Sequence, residues 1–212
     1  LTMQSQGLVN DQGTIASNAG LSINATTGSA SNAAGRVLAL GVADVRSTGM
    51  SNVGGTMTSN GNLTINTVQA HANAAIDSTG GTLQSGQNIT LTAGATTLTN
   101  ATVTSGGNTT LNTAALQANQ ARINAQGNFS TTSSAAVTAQ QLALAAGGSA
   151  VITATQGIDL SGGSVSAQTI TMNAGGVLNN TSGNLTASAT TGTALTMQSQ
   201  GLVNDQGTIA SN

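Results

Sequence analysis

Aliphatic residues recur along this chain in short alternating groups that are separated by glycine, asparagine and other polar residues. In Leu63-Thr64-Ile65 and Ile89-Thr90-Leu91 two aliphatic side chains stand two positions apart, with threonine between them. A period of two places both aliphatics on one face of a β-strand and the threonine on the other. Glycine and asparagine between the groups suit turns, where φ is positive or a side chain bonds to the backbone. The pattern predicts an all-β fold.

Three kinds of group follow one another in a cycle. The first is Gly-Thr-aliphatic-x-Ser or a close variant, at residues 13–17, 55–59, 81–85, 101–105, 163–167, 183–187 and 207–211, with a looser copy at 122–125. The second follows after a turn, at residues 19–23, 61–65, 87–91, 108–111, 127–131, 141–144, 168–172 and 194–197. The third has an aliphatic shortly before an asparagine, at residues 8–10, 98–100, 177–179 and 202–204. Each cycle therefore predicts three short strands.

The cycle returns at a regular distance along the chain. The central aliphatics Leu83, Val103 and Ile123 are 20 positions apart, and the same spacing separates Val165 from Leu185. If each strand lies on its equivalent one cycle later, the aliphatics stack in a dry column and the backbone forms parallel ladders. Proline, which would remove a ladder hydrogen bond, is absent. We therefore expect a parallel β-helix, a solenoid with about 20 residues and three strands per coil.

Three stretches fit this cycle less well. Over Asn24–Asn52 the groups do not match their neighbours, although Gly35–Leu40 resembles a group of the second kind. We expect a coil with a longer loop here, carrying Arg36, Asp44 and Arg46. Residues 68–77 and 131–155 are also irregular in spacing.

A much longer repeat encloses these cycles. Residues 195–212, LTMQSQGLVNDQGTIASN, are identical to residues 1–18, an offset of 194 positions. We expect residues 1–194 to be one long repeat unit of a continuous solenoid and residues 195–212 to begin the next, with no separate domains. At roughly 4.8 Å per coil, one unit would contain nearly ten coils and measure about 47 Å.

Composition supports a solenoid with a thin core. Charged residues are 4% of the chain, Phe129 is the single aromatic residue, and cysteine is absent. Conventional compact cores use large aromatic side chains to fill volume, whereas a core one or two aliphatics across needs none. A net charge of −2 gives no electrostatic footprint for nucleic acid. No apolar run approaches the roughly 20 residues that span a bilayer, so we expect no membrane insertion of this segment.

The recurring Gly-Thr-(Leu/Ile)-x-Ser, Gly-Asn-(Leu/Ile)-Thr-(Leu/Ile) and Leu-x-Asn cycle resembles the haemagglutinin repeats of filamentous-haemagglutinin-type exoproteins. These include two-partner-secretion adhesins and contact-dependent growth-inhibition exoproteins of Gram-negative bacteria. The resemblance covers residues 8–212 and is weakest over Asn24–Asn52. It implies a right-handed parallel β-helix that forms an extracellular shaft, exported through an outer-membrane partner. No functional residues are carried over.

The first expectation for function is therefore structural: a shaft segment of a large secreted surface exoprotein that extends an adhesive or toxic tip from the cell. Its implied partners are the outer-membrane two-partner-secretion transporter and, through other parts of the chain, a host or neighbouring bacterial cell surface. The alternative is an adhesion module that binds cell-surface glycans, or itself, through exposed Asn, Thr and Gln faces. A third hypothesis, an enzyme that acts on polysaccharides, lacks the residues it would need.

Candidate chemistry is sparse. His71 is the only histidine and has no cysteine, aspartate or glutamate beside it, so the sequence offers no set of metal ligands there. The five aspartates (Asp11, Asp44, Asp77, Asp159 and Asp205) are scattered, whereas glycoside cleavage needs paired carboxylates. Gly80-Gly81 and Gly106-Gly107 begin like the calcium-binding GGxGxD motif, but no aspartate follows. We expect no catalytic, cofactor-binding or metal-binding residues.

Three further patterns have a simpler interpretation than a site. Gly147-Gly148 suits a turn, because a phosphate loop needs GxGxxG or a lysine and neither occurs. Asn-x-Thr triplets at Asn24, Asn62 and Asn108 are expected by chance in a chain this rich in asparagine and threonine. Thr-x-Thr pairs could form flat threonine rows of the ice-binding type. Other coils carry Ala, Ser, Gln or Asn at the equivalent positions, so we expect no uninterrupted row.

Overall fold

The computed structural model describes residues 1–25, 27–67 and 74–212. Within these ranges the regular structure consists of 28 strands, and every pairing between them is parallel. The strands form two sheets, one of 18 strands and one of 10. The expected all-β parallel solenoid is therefore confirmed for the described part of the chain.

The strands fall into the three kinds that the sequence cycle predicts. The first strands form the 10-stranded sheet: β3 (Thr14–Ser17), β6 (Arg36–Ala39), β9 (Thr56–Ser59), β12 (Thr82–Ser85), β14 (Thr102–Ser105), β16 (Arg122–Ala125), β19 (Ala143–Ala146), β22 (Ser164–Ala167), β25 (Asn184–Ala187) and β28 (Thr208–Ser211). The second strands are β1 (Thr2–Ser5), β4 (Leu21–Ala25), β7 (Ala43–Ser47), β10 (Leu63–Asn66), β17 (Phe129–Ser133), β20 (Ser149–Ala154), β23 (Thr169–Ala174) and β26 (Leu195–Gln198).

The third strands share the 18-stranded sheet with the second strands. They are β2 (Leu8–Val9), β5 (Ala30–Ser31), β8 (Met50–Ser51), β11 (Ala75–Asp77), β18 (Val137–Thr138), β21 (Ile158–Asp159), β24 (Val177–Asn179) and β27 (Gly201–Val203). Two long strands, β13 (Ile89–Thr97) and β15 (Thr109–Gln117), supply a second and a third strand without a break. The corner between these two kinds of strand is therefore a gentle bend in those coils.

Aliphatic side chains stack from coil to coil as the regular spacing predicts. Leu83 pairs with Val103, Val103 with Ile123, and Val165 with Leu185, all inside the solenoid. Each first strand turns its second and fourth residues inward, and second strands such as β10 turn their first and third residues inward. The core is a set of narrow columns that run along the solenoid axis.

The third strands show how many coils one long repeat contains. Their inward column runs in order through Leu8, Ala30, Met50, Ile76, Thr96, Leu116, Val137, Ile158, Leu178 and Leu202. Leu8 and Leu202 are equivalent residues of the repeated sequence, so one long repeat contains nine coils. This is slightly fewer than the nearly ten expected, because steps such as Met50 to Ile76 are longer than the spacing of Leu83 and Val103. Nine coils correspond to about 43 Å at the usual spacing between strands.

The region Asn24–Asn52 is a regular coil, so the expectation of a longer loop was wrong where residues are described. Arg36 begins the first strand β6, and Asp44 and Arg46 lie in the second strand β7. Gly35–Leu40 was assigned to the second kind, but Val37 pairs with Ile15 and Met57 in the first sheet. Residue 26 lies outside the described residues.

Residues 141–144 needed the same correction, because Leu144 stacks between Ile123 and Val165 in the first sheet. Their coil is otherwise ordinary, and residues 131–155 contain the strands β17 to β20. In both misassigned segments the local sequence resembles a second strand, and only the distance to the neighbouring coils decides the position. Of residues 68–77, only 74–77 are described, and they include strand β11.

Two groups of the third kind were placed out of register. Leu98 does not align with Leu8; it aligns with Asn10, and Thr96 takes the column position. In 177–179 the column residue is Leu178, which pairs with Ile158 and Leu202. The asparagine that matters in this coil is therefore Asn180, one position later than the sequence pattern suggested.

Candidate functional site

A four-residue turn follows the third strand in every coil of the described chain. In the first coil the backbone N–H of Gly13 donates to the carbonyl of Asn10 at 3.0 Å. The third residue of the turn has a positive φ in all ten coils: Gln12, Ala34, Gly54, Gly80, Asn100, Gln120, Gln141, Gly162, Ser182 and Gln206. We call its first residue the ladder position and its fourth residue the closing position.

Asparagine side chains at the ladder position form hydrogen bonds from one coil to the next, in two runs. The Nδ2 of Asn10 donates to Oδ1 of Asn32 at 2.7 Å, and Nδ2 of Asn32 donates to Oδ1 of Asn52 at 2.8 Å. The Nδ2 of Asn52 donates to Oγ of Ser78 at 3.0 Å. A second run begins at Asn180, whose Nδ2 donates to Oδ1 of Asn204 at 2.7 Å. We call these two runs the amide ladder.

Each ladder amide also closes its own turn. The Nδ2 of Asn32 lies 3.2 Å from the carbonyl oxygen of Gly35 and 3.3 Å from that of Thr56 in the next coil. Asn52 and Asn180 make the corresponding contacts. Because buried polar groups must find partners, these contacts allow a fully buried asparagine in an otherwise apolar interior.

Glycine occupies the closing position wherever the ladder residue is Asn or Ser. A Cβ on Gly35 would lie 2.1 Å from the carbonyl oxygen of Asn10 and 2.5 Å from Oδ1 of Asn32. A Cβ on Gly55 would lie 2.1 Å from the Asn32 carbonyl oxygen and 2.7 Å from Oδ1 of Asn52. The amide and a closing side chain therefore exclude each other, which explains the pattern Asn-x-x-Gly.

The four middle coils have an apolar version of the same turn. Their ladder positions are Leu98, Ala118, Ala139 and Leu160, and their closing positions are Ala101, Ala121, Leu142 and Gly163. All four ladder residues are buried. Where this block meets the second run, Leu160 offers no donor, and Oδ1 of Asn180 has no hydrogen-bond partner among the described residues.

Sequence reasoning missed the amide ladder. The third group was defined by an aliphatic before an asparagine, and that definition mixed Asn10 with Asn100 and Asn179, which lie at other positions. Asn-x-x-Gly, repeated at 10–13, 32–35, 52–55, 180–183 and 204–207, was the signal that could have found it.

The aspartates are separated, and two of them accept hydrogen bonds at the turns that follow the third strands. Asp11 accepts from Oγ of Ser31 and from the backbone N–H of Ala33, and Asp77 accepts from the N–H and Oγ1 of Thr79. Among the described residues no three of His, Cys, Asp or Glu lie close enough together to hold a metal ion. His71, considered as a ligand and set aside, lies outside the described residues.

The surroundings of Asp159 shift the pKa of its carboxyl group. Its partial burial raises the pKa, but hydrogen bonds from Gln140, Ser161 and Asn179 lower it more in sum, so that the pKa lies below its ordinary value. The Nε2 of Gln140 lies 2.7 Å from Oδ2, and the N–H of Ser161 lies 3.0 Å from Oδ1. The ionised carboxylate therefore joins two neighbouring coils.

Positive charge lies mainly on the outer face of the first sheet. Arg36 and Arg122 occupy the same outward column, four coils apart, with Thr56, Thr82 and Thr102 between them. Next to Arg122 a groove of about 340 Å³ crosses the sheet over Ala143 and Ala145. Arg46 differs, since its Nε lies 3.2 Å from Oδ2 of Asp44 on the second strand, where both side chains are partly exposed.

The threonine rows are short, as expected. Thr56, Thr82 and Thr102 stack in three successive coils, but Arg36 and Arg122 end that row. On the second strands, Ser130 and Val151 follow Thr90 and Thr110. A row of mixed neutral polar residues is longer and occupies one outward column through seven coils: Asn66, Thr92, Asn112, Thr132, Thr153, Asn173 and Gln198.

The Asn-x-Thr triplets follow from the fold at one corner. Oδ1 of Asn62, Asn88 and Asn108 each accepts the backbone N–H of the asparagine one coil later, at 2.8–3.1 Å. The next residue points inward and the one after it outward, which favours an aliphatic and then threonine. These triplets are therefore explained by corner geometry, and chance is not needed. Asn24, by contrast, lies within strand β4.

In the described part of the chain no helix has the length and apolar character needed to cross a membrane. Comparison with known families gave one matching family model, described as haemagglutinin repeat, at residues 1–30, 19–80, 66–133, 130–191 and 181–212. These matches overlap and together span the chain. No curated protein and no solved structure gave a significant match.

Proposed function

Because the chain belongs to the haemagglutinin-repeat family, we propose that it is a length of a solenoid shaft, built to continue through further copies of itself. The family and the parallel β-solenoid both support a structural role in an adhesin. The finer proposal is that this shaft extends an adhesive or toxic tip, located elsewhere in the parent protein, away from a bacterial cell.

One observation carries the proposal. The repeated sequence at 1–18 and 195–212 forms two coils that lie nine coils apart in the same columns. In the second copy, Leu195, Leu202 and Ile209 stack on Ile170, Leu178 and Leu185. The coil that contains Ile170, Leu178 and Leu185 therefore packs against the second copy. An equivalent coil would pack in the same way against the first copy. A chain of such units adds whole coils without a change of register.

The test is the length added by one copy. A polypeptide with residues 1–194 followed by residues 1–212 should be longer than the 212-residue chain by about 43 Å, with an unchanged cross-section. Small-angle X-ray scattering measures both quantities, and electron microscopy checks the rod shape. Two globular units joined by a flexible region would contradict the proposal, as would an increase in cross-section.

The family resemblance supports the wider setting that we propose. The parent chain would be exported through an outer-membrane two-partner-secretion transporter and would act outside the cell, on the surface or secreted. It would meet host or neighbouring bacterial cells, as in contact-dependent growth inhibition or virulence, through other segments. Detecting the parent chain on intact Gram-negative cells, and losing it when the transporter is deleted, would test this setting.

A second candidate function is an adhesion module. It is favoured by the neutral polar column that includes Thr92, Asn112, Thr132, Thr153 and Asn173, which could align hydroxyl and amide groups with a neutral glycan. A glycan array probed with the 212-residue chain tests it. Thr92→Ala/Asn112→Ala/Thr132→Ala should remove any binding, whereas Thr56→Ala/Thr82→Ala/Thr102→Ala on the first sheet should not. Binding that survives both variants would exclude this surface.

A further inference from the structure

The ladder position divides the ten coils into two kinds. Coils with an Asn or Ser there are polar coils, and they contain Asn10, Asn32, Asn52, Ser78, Asn180 and Asn204. The four coils with Leu98, Ala118, Ala139 and Leu160 are apolar coils, and they are contiguous. If copies follow one another as proposed above, the polar coils at both ends join into one block that spans the junction between copies.

We propose that this division is a register device that fixes which coil stacks on which. The amide ladder has a direction, because each asparagine donates through Nδ2 to the coil that follows it in sequence. A coil with asparagine at the ladder position therefore requires an oxygen at the ladder position of the next coil. Only another polar coil provides one.

Other forces between coils do not make this distinction. Backbone ladders are the same throughout, and the aliphatic columns present similar side chains, as with Leu83, Val103 and Ile123. If the Ser78 coil were looped out, the coil above would still align its backbone and its aliphatics. The amide of Asn52 would, however, face Leu98 and lose the Ser78 oxygen, which at 3.0 Å is the shortest of its three contacts; the carbonyl oxygens of Gly55 and Thr82 lie at 3.2 and 3.3 Å.

The size of this penalty is sufficient to decide the register. Domain stability per residue is small, so the net stability of one coil of about 20 residues is comparable to the cost of losing one buried hydrogen bond. Losing an acceptor therefore adds a penalty similar to that of losing the coil itself. The ladder would matter most at the boundaries of the polar block, where an error brings the two kinds of coil together.

Disulfide trapping can detect a looped-out coil because the chain contains no cysteine. Thr58 and Thr104 point outward from the first sheet and are separated by Gln84 in the coil between them. Their Cα atoms are about 9.6 Å apart, too far for a disulfide. Thr58→Cys/Thr104→Cys should cross-link only when the middle coil is skipped. Gln84→Cys/Thr104→Cys reports correct stacking.

The decisive variant converts one coil to the other kind. In a refolded chain with Leu98→Asn/Ala101→Gly, a skipped coil no longer deprives the Asn52 amide of its ladder acceptor, so cross-linking of the skip pair should rise about tenfold. The control Leu98→Ala keeps the coil apolar but lowers stability, so cross-linking there should stay at the parental level. Asn52→Leu/Gly55→Ala removes the mismatch from the other side and should also raise it.

An equal rise in the Leu98→Ala control would assign the effect to stability alone and overturn the proposal. The absence of a rise in both converted variants, with the correct pair still cross-linking in at least one of them, would overturn it as well. All measurements use the 212-residue chain. They therefore stand apart from the length test of the shaft, and either result can fail while the other holds.

Discussion

At the residue scale, adjacent positions in one turn obey opposite rules. Gly35 has no room for a side chain, since its Cβ would lie within 2.5 Å of two oxygen atoms. Ala34, immediately before it, is exposed and has a φ of 52°, in the left-handed region that β-carbons disfavour. The same turn therefore contains one glycine that is required and one alanine where glycine would fit better.

Gly35→Ala should destabilise the chain by roughly 1–3 kcal/mol, the usual cost of overpacking a tight interior. The Cβ must displace both the Asn10 carbonyl and the Asn32 side-chain amide, which belongs to the ladder. Chemical denaturation followed by circular dichroism measures the change. Gly54→Ala, where no atom lies within 4 Å but φ is 61°, separates crowding from backbone strain. A loss no larger at Gly35 than at Gly54 would show that crowding is unimportant.

Ala34→Gly should stabilise the chain by about 0.5–1 kcal/mol. It removes the cost of a left-handed alanine, roughly 1–2 kcal/mol, but glycine also raises the conformational entropy of the unfolded chain, which offsets part of that gain. The measurement is the denaturation midpoint at constant slope. Ala33→Gly is the matched control, because Ala33 has no positive φ and should lose stability. A gain at both positions would contradict the backbone explanation.

Asp159 should make folding depend on pH in the acidic range. Its pKa is lower in the folded chain than in the unfolded chain, so its contribution is complete above the unfolded value of 3.8 and is lost as pH falls through the folded value. Asp159→Asn should therefore lose stability mainly above about pH 4 and show a flatter decline at more acidic pH. Denaturation at several pH values tests this. An unchanged pH profile in the variant would remove the proposed role of the carboxylate.

At the scale of the strand and the coil, the periodicity of the sequence predicted most of the strands and how they stack. Val103 and Ile123 were placed on their neighbours correctly because the spacing of the coils and the period of two agree there. Gly35–Leu40 and 141–144 were misplaced because local alternation cannot distinguish a first strand from a second. Small insertions change the number of residues in some coils, so the spacing alone does not assign Gly35–Leu40 to a strand. The pairing of Val37 with Ile15 in the structure does.

The amide ladder was beyond that reasoning for a different physical cause. Asparagine is ordinarily a surface or turn residue, so nothing in the composition indicated that Asn32 and Asn52 are buried. Their burial depends on a partner in the next coil, which is distant in sequence although it is adjacent in space. The expected lack of catalytic or metal residues remains a prediction, while the scatter of the aspartates that motivated it is visible in the fold.

The Phe129 coil shows how the thin core accommodates its one aromatic ring. Phe129 is buried between Thr109 and Ala150, both small, in the inward column of the second strands. Phe129→Ala should cost about 3–5 kcal/mol by leaving a cavity. Phe129→Ala/Ala150→Phe moves the ring by one coil and should recover at least about 1 kcal/mol of that loss. Denaturation of the parent chain, Phe129→Ala, Ala150→Phe and the double variant measures the coupling. Additive changes in the free energy of unfolding would mean that the two positions do not share volume.

At the scale of the whole molecule, the solenoid has two open ends with matching surfaces. The last coil leaves Leu202 and Val203 about half exposed, while Leu8 and Ile15 of the first coil are only partly buried. Few charges oppose contact, and both ends present unpaired strand edges, which favour pairing with another chain. The amide of Asn204 donates within its own turn, and in a polypeptide of residues 1–212 it would need a second molecule for the next acceptor of the ladder.

The 212-residue chain should therefore associate end to end into rods whose lengths are multiples of the monomer. Leu202→Lys places a charge in the exposed core column and should weaken association at least tenfold, since pairing would bury that charge without a partner. Thr196→Lys is the matched control: it adds the same charge to the same coil but on the outward face, opposite Thr171.

Light scattering across a concentration series measures association, and electron microscopy shows whether it is axial. A monodisperse monomer at ~100 μM, a concentration at which contacts of even modest affinity would be populated, would contradict the prediction. Equal loss in the two lysine variants would instead assign association to general charge and not to the coil edge.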